Sequence, residues 1–364
     1  KLKDMSDETG EPSVILGFKH PFQEPEQPIV EETDIKEADA AIYVLARNSG
    51  EGKDRTPGAG DYELSDTEKT AIANLANAYR ELQNIRFMTE NYSNCVVLLN
   101  TGGVIDLTEL RKISGVQAIL LTGQTGNMGG HAVADVLMAK TVPSGKLTDT
   151  WARSYDDYPS SRTFSYRDDN LDDEYYSDGI YVGYRYFDTF GIMPLYCFGY
   201  GKGYTDFSLV TKEVTADEKL VKVEVEVTNI GKVYPGREVV QVYYSAPDGV
   251  MEKPTQELAG FAKTKLLMPG EKEVVTVTFA TEDMASYDSY DAAWVMEEGE
   301  YTIRVGNSSR TTEVAAIIDL DETVQTVLLK NVMKDKEFVK EIHHMVPIFD
   351  LELDDTPFMR PILI

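Results

Sequence analysis

Ala41-Ile42-Tyr43-Val44-Leu45-Ala46 is a short apolar run without alternation, the pattern of a strand buried on both faces. Directly behind it come Arg47-Asn48-Ser49-Gly50-Glu51-Gly52-Lys53-Asp54-Arg55, in which a carboxylate stands between two glycines. Two more apolar runs follow, Cys95-Val96-Val97-Leu98-Leu99-Asn100 and Ala118-Ile119-Leu120-Leu121-Thr122, and both are expected to be buried strands. Between the first two, Ile72, Leu75, Ala76, Tyr79 and Leu82 keep helical spacing, and Ser65-Asp66-Thr67-Glu68 ahead of them has capping-box form. Short helices are expected near residues 108–113 and 131–139. Non-alternating strands separated by helices mean an α/β sandwich domain: a mostly parallel sheet with helices on both faces.

In such sheets ligands sit outside the C-terminal ends of the strands. Three loops therefore converge on one edge: the Glu51 loop, Asn100-Thr101-Gly102-Gly103, and Gly123-Gln124-Thr125-Gly126-Asn127-Met128-Gly129-Gly130. Glycines on either side of Glu51 free the backbone and leave room for a ligand, which suits an acid held over a cleft. The same residues also suit a polar turn in which Asp54 and Arg55 pair for structure, and spacing alone leaves both readings open. The glycine-rich third loop lacks Gly-Lys-Ser/Thr, so it is no phosphate loop. It reads as a tight strand-to-helix turn, some of whose residues rim the cleft.

The formal charge is 35 − 62 = −27 over 364 residues. A surface that acidic repels phosphate backbones and anionic lipid, so nucleic acid and membranes are poor partners, whereas neutral ligands such as sugars are compatible. No apolar run approaches the roughly 20 residues that span a bilayer. The first residues, Lys1-Leu2-Lys3-Asp4, are polar and show no export signal; a processed N-terminus stays open, and a bacterial cytoplasm is the expected compartment with secretion left open. Two cysteines and four histidines offer neither a disulfide framework nor a metal cluster, so no metal and no cofactor is expected. Cys95, opening an apolar strand, is expected to be a buried thiol. Asn91-Tyr92-Ser93 and Asn307-Ser308-Ser309 fit the glycosylation pattern, which short chance matches often do.

From about residue 155 to 204 the chain is acidic and aromatic, with Tyr175, Tyr176, Tyr181, Tyr184, Tyr186, Phe187, Phe190, Tyr196, Phe198, Tyr200 and Tyr204. Such rings either stack on sugars or pack a long connection onto its domain. From residue 209 the period changes. Leu220-Val221-Lys222-Val223-Glu224-Val225-Glu226-Val227 alternates strictly, and further strands are expected at 239–244, 274–279 and 301–305 with Pro235-Gly236 and Pro269-Gly270 as turns. This spacing reads as an all-β immunoglobulin/fibronectin type III-like sandwich. The expected division is an α/β domain over residues 1–208, N-terminally incomplete, a β-sandwich over 209–318, and a tail or connector over 319–364. His343-His344 in the tail are adjacent on a weak helical pattern and point apart, which argues against a metal pair.

Ser49-Gly50-Glu51-Gly52-Lys53-Asp54-Arg55 with Gly60-Asp61-Tyr62-Glu63-Leu64-Ser65 resembles the α/β-sandwich domain of glycoside hydrolase family 3. So do Val97-Leu98-Leu99-Asn100-Thr101-Gly102-Gly103, Pro143-Ser144-Gly145-Lys146-Leu147, and above all Gly179-Ile180-Tyr181-Val182-Gly183-Tyr184-Arg185-Tyr186-Phe187-Asp188. Val227-Thr228-Asn229, Glu238-Val239-Val240-Gln241-Val242-Tyr243 and Glu257-Leu258-Ala259-Gly260-Phe261 resemble that family's fibronectin type III-like domain. The resemblance implies retaining hydrolysis of β-linked sugars, with a β-glucosidase-like activity on terminal glucose or xylose. Retention needs two carboxyl groups, one nucleophile and one acid/base. By match to the motif Glu51 is the acid/base, and Asp54 and Arg55 are loop-fixing partners with a secondary substrate-binding role.

The departures carry equal weight. The family's nucleophile is an aspartate on a separate (β/α)8 barrel in a Ser-Asp-Trp-like context, yet here Trp151 follows Thr150 and Trp294 follows Ala293. The barrel's Lys-His-Phe motif is absent too, since Lys19-His20 is followed by Pro21. The chain is therefore expected to supply the acid/base half of a glycosidase whose barrel lies on another chain or segment, with a homo-oligomer left open. The alternative is a non-catalytic carbohydrate-binding or scaffolding module.

Overall fold

The apolar runs of the first half form one sheet. The computed structural model describes residues 40–47, 54–87, 95–170, 172–173, 176–330 and 362–363. Glu51, Tyr175, the glycosylation pattern at Asn91 and the His343-His344 pair lie outside those residues. The chain divides into two compact units. The first runs to Asp135 and takes in Arg153–Tyr155; the second takes Val136–Ala152 and continues from Asp156.

In the first unit β1 (Ala41–Ala46), β2 (Cys95–Asn100) and β3 (Val116–Leu121) are parallel in the order β1-β2-β3. Helix α1 (Asp66–Phe87) packs on β1 and β2. Its capping box is complete: Glu68 N donates to Ser65 Oγ at 3.1 Å, and Ser65 N donates to Glu68 Oε2 at 2.9 Å. Two orphan amides of the first turn are thereby satisfied. One turn later Ile72 and Ala76 are fully buried, and Ala76 closes over Ala41 and Cys95 with Leu75, Ile113 and Val116 around them. The expected helix near 108–113 contracts to a 3-10 turn, Leu110–Lys112, and helix α2 occupies Gly129–Leu137. β3 corrects one expectation. As Val44 and Ala46 are in β1, Gln117, Ala118 and Leu121 are exposed in β3, so neither is a fully buried strand; β3 is the barer of the two. It stands at the edge of the three-strand order, with a ladder partner on the β2 side alone among the described residues.

The second unit is a β-sandwich. One sheet runs β4-β5-β8 (Phe207–Ala216, Leu220–Asn229, Lys272–Ala280) and is antiparallel throughout. The other runs β14-β12-β11-β6-β7, with β6 at Val239–Ser245, β7 at Glu257–Lys263, β11 at Gly299–Ser308, β12 at Thr311–Leu320 and β14 at Ile362–Leu363. β14 joins β12 in parallel. A small third sheet, β13-β10-β9, holds Val324–Leu328, Ala293–Met296 and Ser286–Asp288. The alternation of β5 does what its period requires. Val221, Val223, Val225 and Val227 are all fully buried and meet Val240, Val242, Tyr301, Ile303 and Ile318 across the core. The fold is thus an α/β domain followed by a β-sandwich, as the sequence implies.

β6 departs from alternation, with five consecutive buried residues. The aromatic connection lies over its outer face. Tyr184 stacks on Phe198 with ring centroids 4.7 Å apart and meets Tyr243 edge-on at 6.0 Å. Gln241 Nε2 donates to Asn307 O at 2.9 Å, and Tyr243 Oη donates to Gln241 Oε1 at 2.5 Å. Gly199, at φ 77°, passes so close that a Cβ there would stand 2.3 Å from Gln241 Oε1. Tyr181 and Phe187 are fully buried, and short helix α3 (Tyr184–Thr189) ends on an Asp188–Arg310 ion pair of 2.5 Å. These rings pack the connection onto the sandwich.

Two measurements follow from this packing. Asn229 is fully buried and spans a corner: Nδ2 donates to Leu267 O at 2.9 Å and Tyr234 O at 3.1 Å, while Oδ1 accepts from Gly231 N and Thr205 Oγ1. Asn229→Ala strands those groups and is expected to cost about 2–4 kcal/mol in chemical denaturation of the chain. Burial pushes the Cys95 thiol up to about 11, whereas Cys197 is only half-buried. A thiol reagent at pH 8 is expected to titrate Cys197 in the native chain and Cys95 only after unfolding.

Candidate active site

Parallel order places the C-terminal ends of β1, β2 and β3 on one edge of the sheet, and hydrogen bonds carry the pairing past the strands. Arg47 N donates to Asn100 O at 3.1 Å, and Thr122 N donates to Leu99 O at 3.0 Å. The loops beyond them touch. A Cβ on Gly102 would lie 3.4 Å from Gln124 Nε2, and one on Gly103 would lie 3.8 Å from Arg55 Nη1. Thr101, buried, folds the middle loop on itself through Thr101 Oγ1 to Gly103 O at 2.6 Å. The convergence expected of the three loops is therefore present at their described residues.

Residues 48–53, with Glu51, are outside the described set, but both feet of that span are described. At the first foot the Arg47 side chain is 5% exposed and forks onto Glu68, with Nη1 to Oε1 at 2.7 Å and Nη2 to Oε2 at 2.8 Å. Nε donates to Asp61 O at 2.6 Å, and the remaining Nη protons go to Ala46 O at 2.9 Å and Glu63 O at 3.3 Å. All five guanidinium N–H groups are thus used. Glu68 in turn caps α1, where a carboxylate also suits the positive end of the helix.

At the second foot Arg55 Nη2 donates to Val104 O at 2.6 Å, and Arg55 Nε lies 3.1 Å from Asp61 Oδ1. Asp61 Oδ2 accepts from Thr56 N at 2.6 Å and from Thr56 Oγ1 at 3.1 Å. The expected Asp54–Arg55 structural pair is not formed. Asp54 is exposed, and Arg55 pairs with Asp61 because the turn over residues 56–63 folds back to present it, with Tyr62 N on Thr56 O and Glu63 N on Gly58 O at 3.2 Å each. Tyr62 and Leu64 anchor that turn in the core, and Tyr62 meets Tyr155 edge-on at 5.2 Å.

Arg47, Asp61 and the second role of Glu68 do not emerge from the sequence pattern. One signal was available: a charged residue directly at the end of a buried strand must find a partner, and the capping-box glutamate has an oxygen to spare. Among the described residues no group of three or more His, Cys, Asp or Glu side chains could hold a metal ion.

Removing one member of a buried, fully bonded ion pair leaves the other charge stranded. Arg47→Met is expected to cost about 3–5 kcal/mol in denaturant unfolding, and adding Glu68→Gln, which keeps the cap and removes the stranded charge, should recover a large part of it. Recovery by the second substitution is the outcome that separates charge burial from simple loss of packing.

Comparison with known proteins agrees with this architecture. Residues 7–184 match the Glycosyl hydrolase family 3 C-terminal domain, and residues 238–309 match the Fibronectin type III-like domain. The chain is 38% identical over 361 residues to Beta-glucosidase A of Butyrivibrio fibrisolvens, covering 89% of this chain and 42% of that protein. It is 36% identical over 330 residues to a Beta-glucosidase of Ruminococcus albus, covering 89% of this chain and 32% of that protein. Among solved structures, beta-glucosidase 3B from Thermotoga neapolitana in complex with alpha-D-glucose superposes with a TM-score of 0.74 at 38% identity, over 89% of this chain and 43% of its own. The chain therefore spans about a third to two-fifths of the length of the curated relatives it matches.

Proposed function

We propose that this chain, which belongs to glycosyl hydrolase family 3, supplies the acid/base half of a retaining β-glycosidase acting on terminal β-linked glucose or xylose. The observation that supports the reading is the pair of anchored arginines, Arg47 and Arg55, which flank Gly50-Glu51-Gly52 in sequence and stand at the C-terminal edge of a parallel sheet. The names of the relatives, all β-glucosidases, support the substrate class. The nucleophile is assigned to an aspartate on a (β/α)8 barrel outside this stretch of sequence.

In the first step the aspartate carboxylate attacks the anomeric carbon. The bond to the leaving oxygen breaks, its electron pair stays on that oxygen, and Glu51 gives the oxygen its proton. In the second step water attacks the same carbon and yields a proton to Glu51, while the bond to the aspartate breaks and its electron pair returns to the carboxylate. Glu51 must therefore hold a proton in the resting site, which a nearby free guanidinium would oppose. Arg47 has no N–H left to give, and its charge is already paired with Glu68. Arg55 is largely committed to Asp61 and Val104 and serves chiefly to fix the loop, leaving the exposed Asp54 as the flanking residue able to meet substrate.

In the full-length protein Glu51→Ala is expected to lower kcat/KM on glycosides with poor leaving groups by a factor on the order of 10²–10⁴. Added azide should restore turnover of an activated aryl glycoside, giving the β-glycosyl azide, because azide needs no base. Unchanged activity would sink the assignment.

A further inference from the structure

We propose that the small sheet β13-β10-β9 carries a carbohydrate-binding platform, built on Trp294 and Tyr287, that takes a β-linked glucan chain. Trp294 pairs with Tyr287 on one side and with Val327 on the other, so the three side chains form one cross-strand row on a single face. The rings of Tyr287 and Trp294 lie 5.4 Å apart, tilted by 54°, and the two residues are 40% and 41% exposed. On the same face, two residues beyond Trp294, Met296 is buried in the sandwich core, as is Ala285 two residues ahead of Tyr287. β10 therefore leaves the core between Met296 and Trp294, and the row stands on a hydrogen-bonded extension of it. Thr326 Oγ1 donates to Trp294 O at 3.3 Å and Leu329 N to Ala292 O at 2.8 Å, which secures β13 along the other edge. Apolar residues scattered singly on a surface are ordinary; a paired Trp and Tyr held open at the end of a packed core mark a place of contact.

Area and charge select the occupant. Aromatic side chains bury about 150–250 Å² each, so two-fifths of two rings offers on the order of 150 Å². With Val327 and Tyr290, 95% exposed in the β9–β10 turn, the area is still on the order of 400 Å², about half of what each partner buries in a standard protein interface. A second folded protein finds too little here, whereas one or two sugar rings are well covered. No Lys or Arg occurs between Lys272 and Arg304 or between Arg310 and Lys330, so the three strands carry no cation. Asp291, Glu298 and Glu322, at the ends of these strands, are exposed. Anionic partners, and a second copy of a chain with charge −27, are repelled. A neutral polyol fits on both counts. The electron-rich ring faces attract the C–H bonds on the flat side of a pyranose, and carboxylates accept its hydroxyl protons in charge-assisted bonds. The choice of β-linked glucose among polyols rests on the activity proposed above; the platform itself uses none of the catalytic groups.

The row can be read directly, because the chain has two tryptophans and the other, Trp151, is 4% exposed. In the native chain acrylamide is expected to quench the Trp294 emission, and added cello-oligosaccharide should shift that emission to the blue, saturate, and protect it from the quencher. In native gels containing hydroxyethylcellulose, a soluble β-linked glucan, the chain should be retarded. Trp294→Ala and Tyr287→Ala should each weaken the retardation roughly tenfold, while Trp294→Phe, which keeps a ring face, should stay within about threefold. Should Trp294→Ala lower the melting temperature sharply, Tyr287→Ala decides. No shift with cello-oligosaccharide, or equal retardation of all variants, would overturn the platform. So would a native emission that acrylamide cannot reach, since Trp294 would then be covered. A shift produced by poly-lysine and not by the sugar would overturn it as well and mark the row as a site for a cationic peptide. The activity reading fails separately, if the full-length protein turns over no β-glucoside while the chain still binds the glucan.

Discussion

A buried guanidinium is tolerated only when it is paired and every one of its protons is placed, because its desolvation otherwise outweighs any attraction it gains. Arg47 meets that condition and, in doing so, dictates the geometry around it. Its fork onto Glu68 requires the first turn of α1 to stand at the C-terminal end of β1. Its remaining bonds to Ala46, Asp61 and Glu63 require the turn over residues 56–63 to fold against the same point. Strand end, turn and helix start are therefore positioned by one charge, and a helix carrying both a capping role and an ion pair on Glu68 has little freedom to slide.

From that anchor the described part of the site is held by short bonds. The self-bonded Thr101–Gly103 turn and the contacts of Arg47 and Thr56 with Asp61 are short bonds that involve backbone atoms. They brace the strand end and the turn that flank the proposed acid in sequence.

Local pattern made most of the fold legible. The period of two in Leu220–Asn229 predicted a half-buried strand and found one, and the capping box at Ser65 marked where α1 begins. β3 was misread because an apolar run looks the same whether a strand stands at the centre of a sheet or at its edge. The pattern of β6 predicts a strand, but its burial on both sides comes from rings more than forty positions earlier. In the site, the glycine-flanked Glu51 was visible as a motif. Arg47, Asp61 and Glu68 were not, because their partnership joins positions 14 and 21 apart through contacts that no short window contains. Charged residues announce that they need partners and are silent about which.

The covering of β6 bears on how this protein can be rearranged. Tyr243 and Gln241 rest on Tyr184 and the backbone near Gly199, so the outer side of the sandwich is completed by chain that precedes its first strand. A gene fusion or domain graft cut just before Phe207 would carry away eight of the sandwich's strands with a raw aromatic surface, and such a transplant would tend to self-associate. A splice made ahead of Lys146, whose ammonium pairs with Glu238 at 2.7 Å, would move the sandwich together with its cladding. The unit of exchange in this molecule is set by what lies against a strand, and it is longer than the strands themselves.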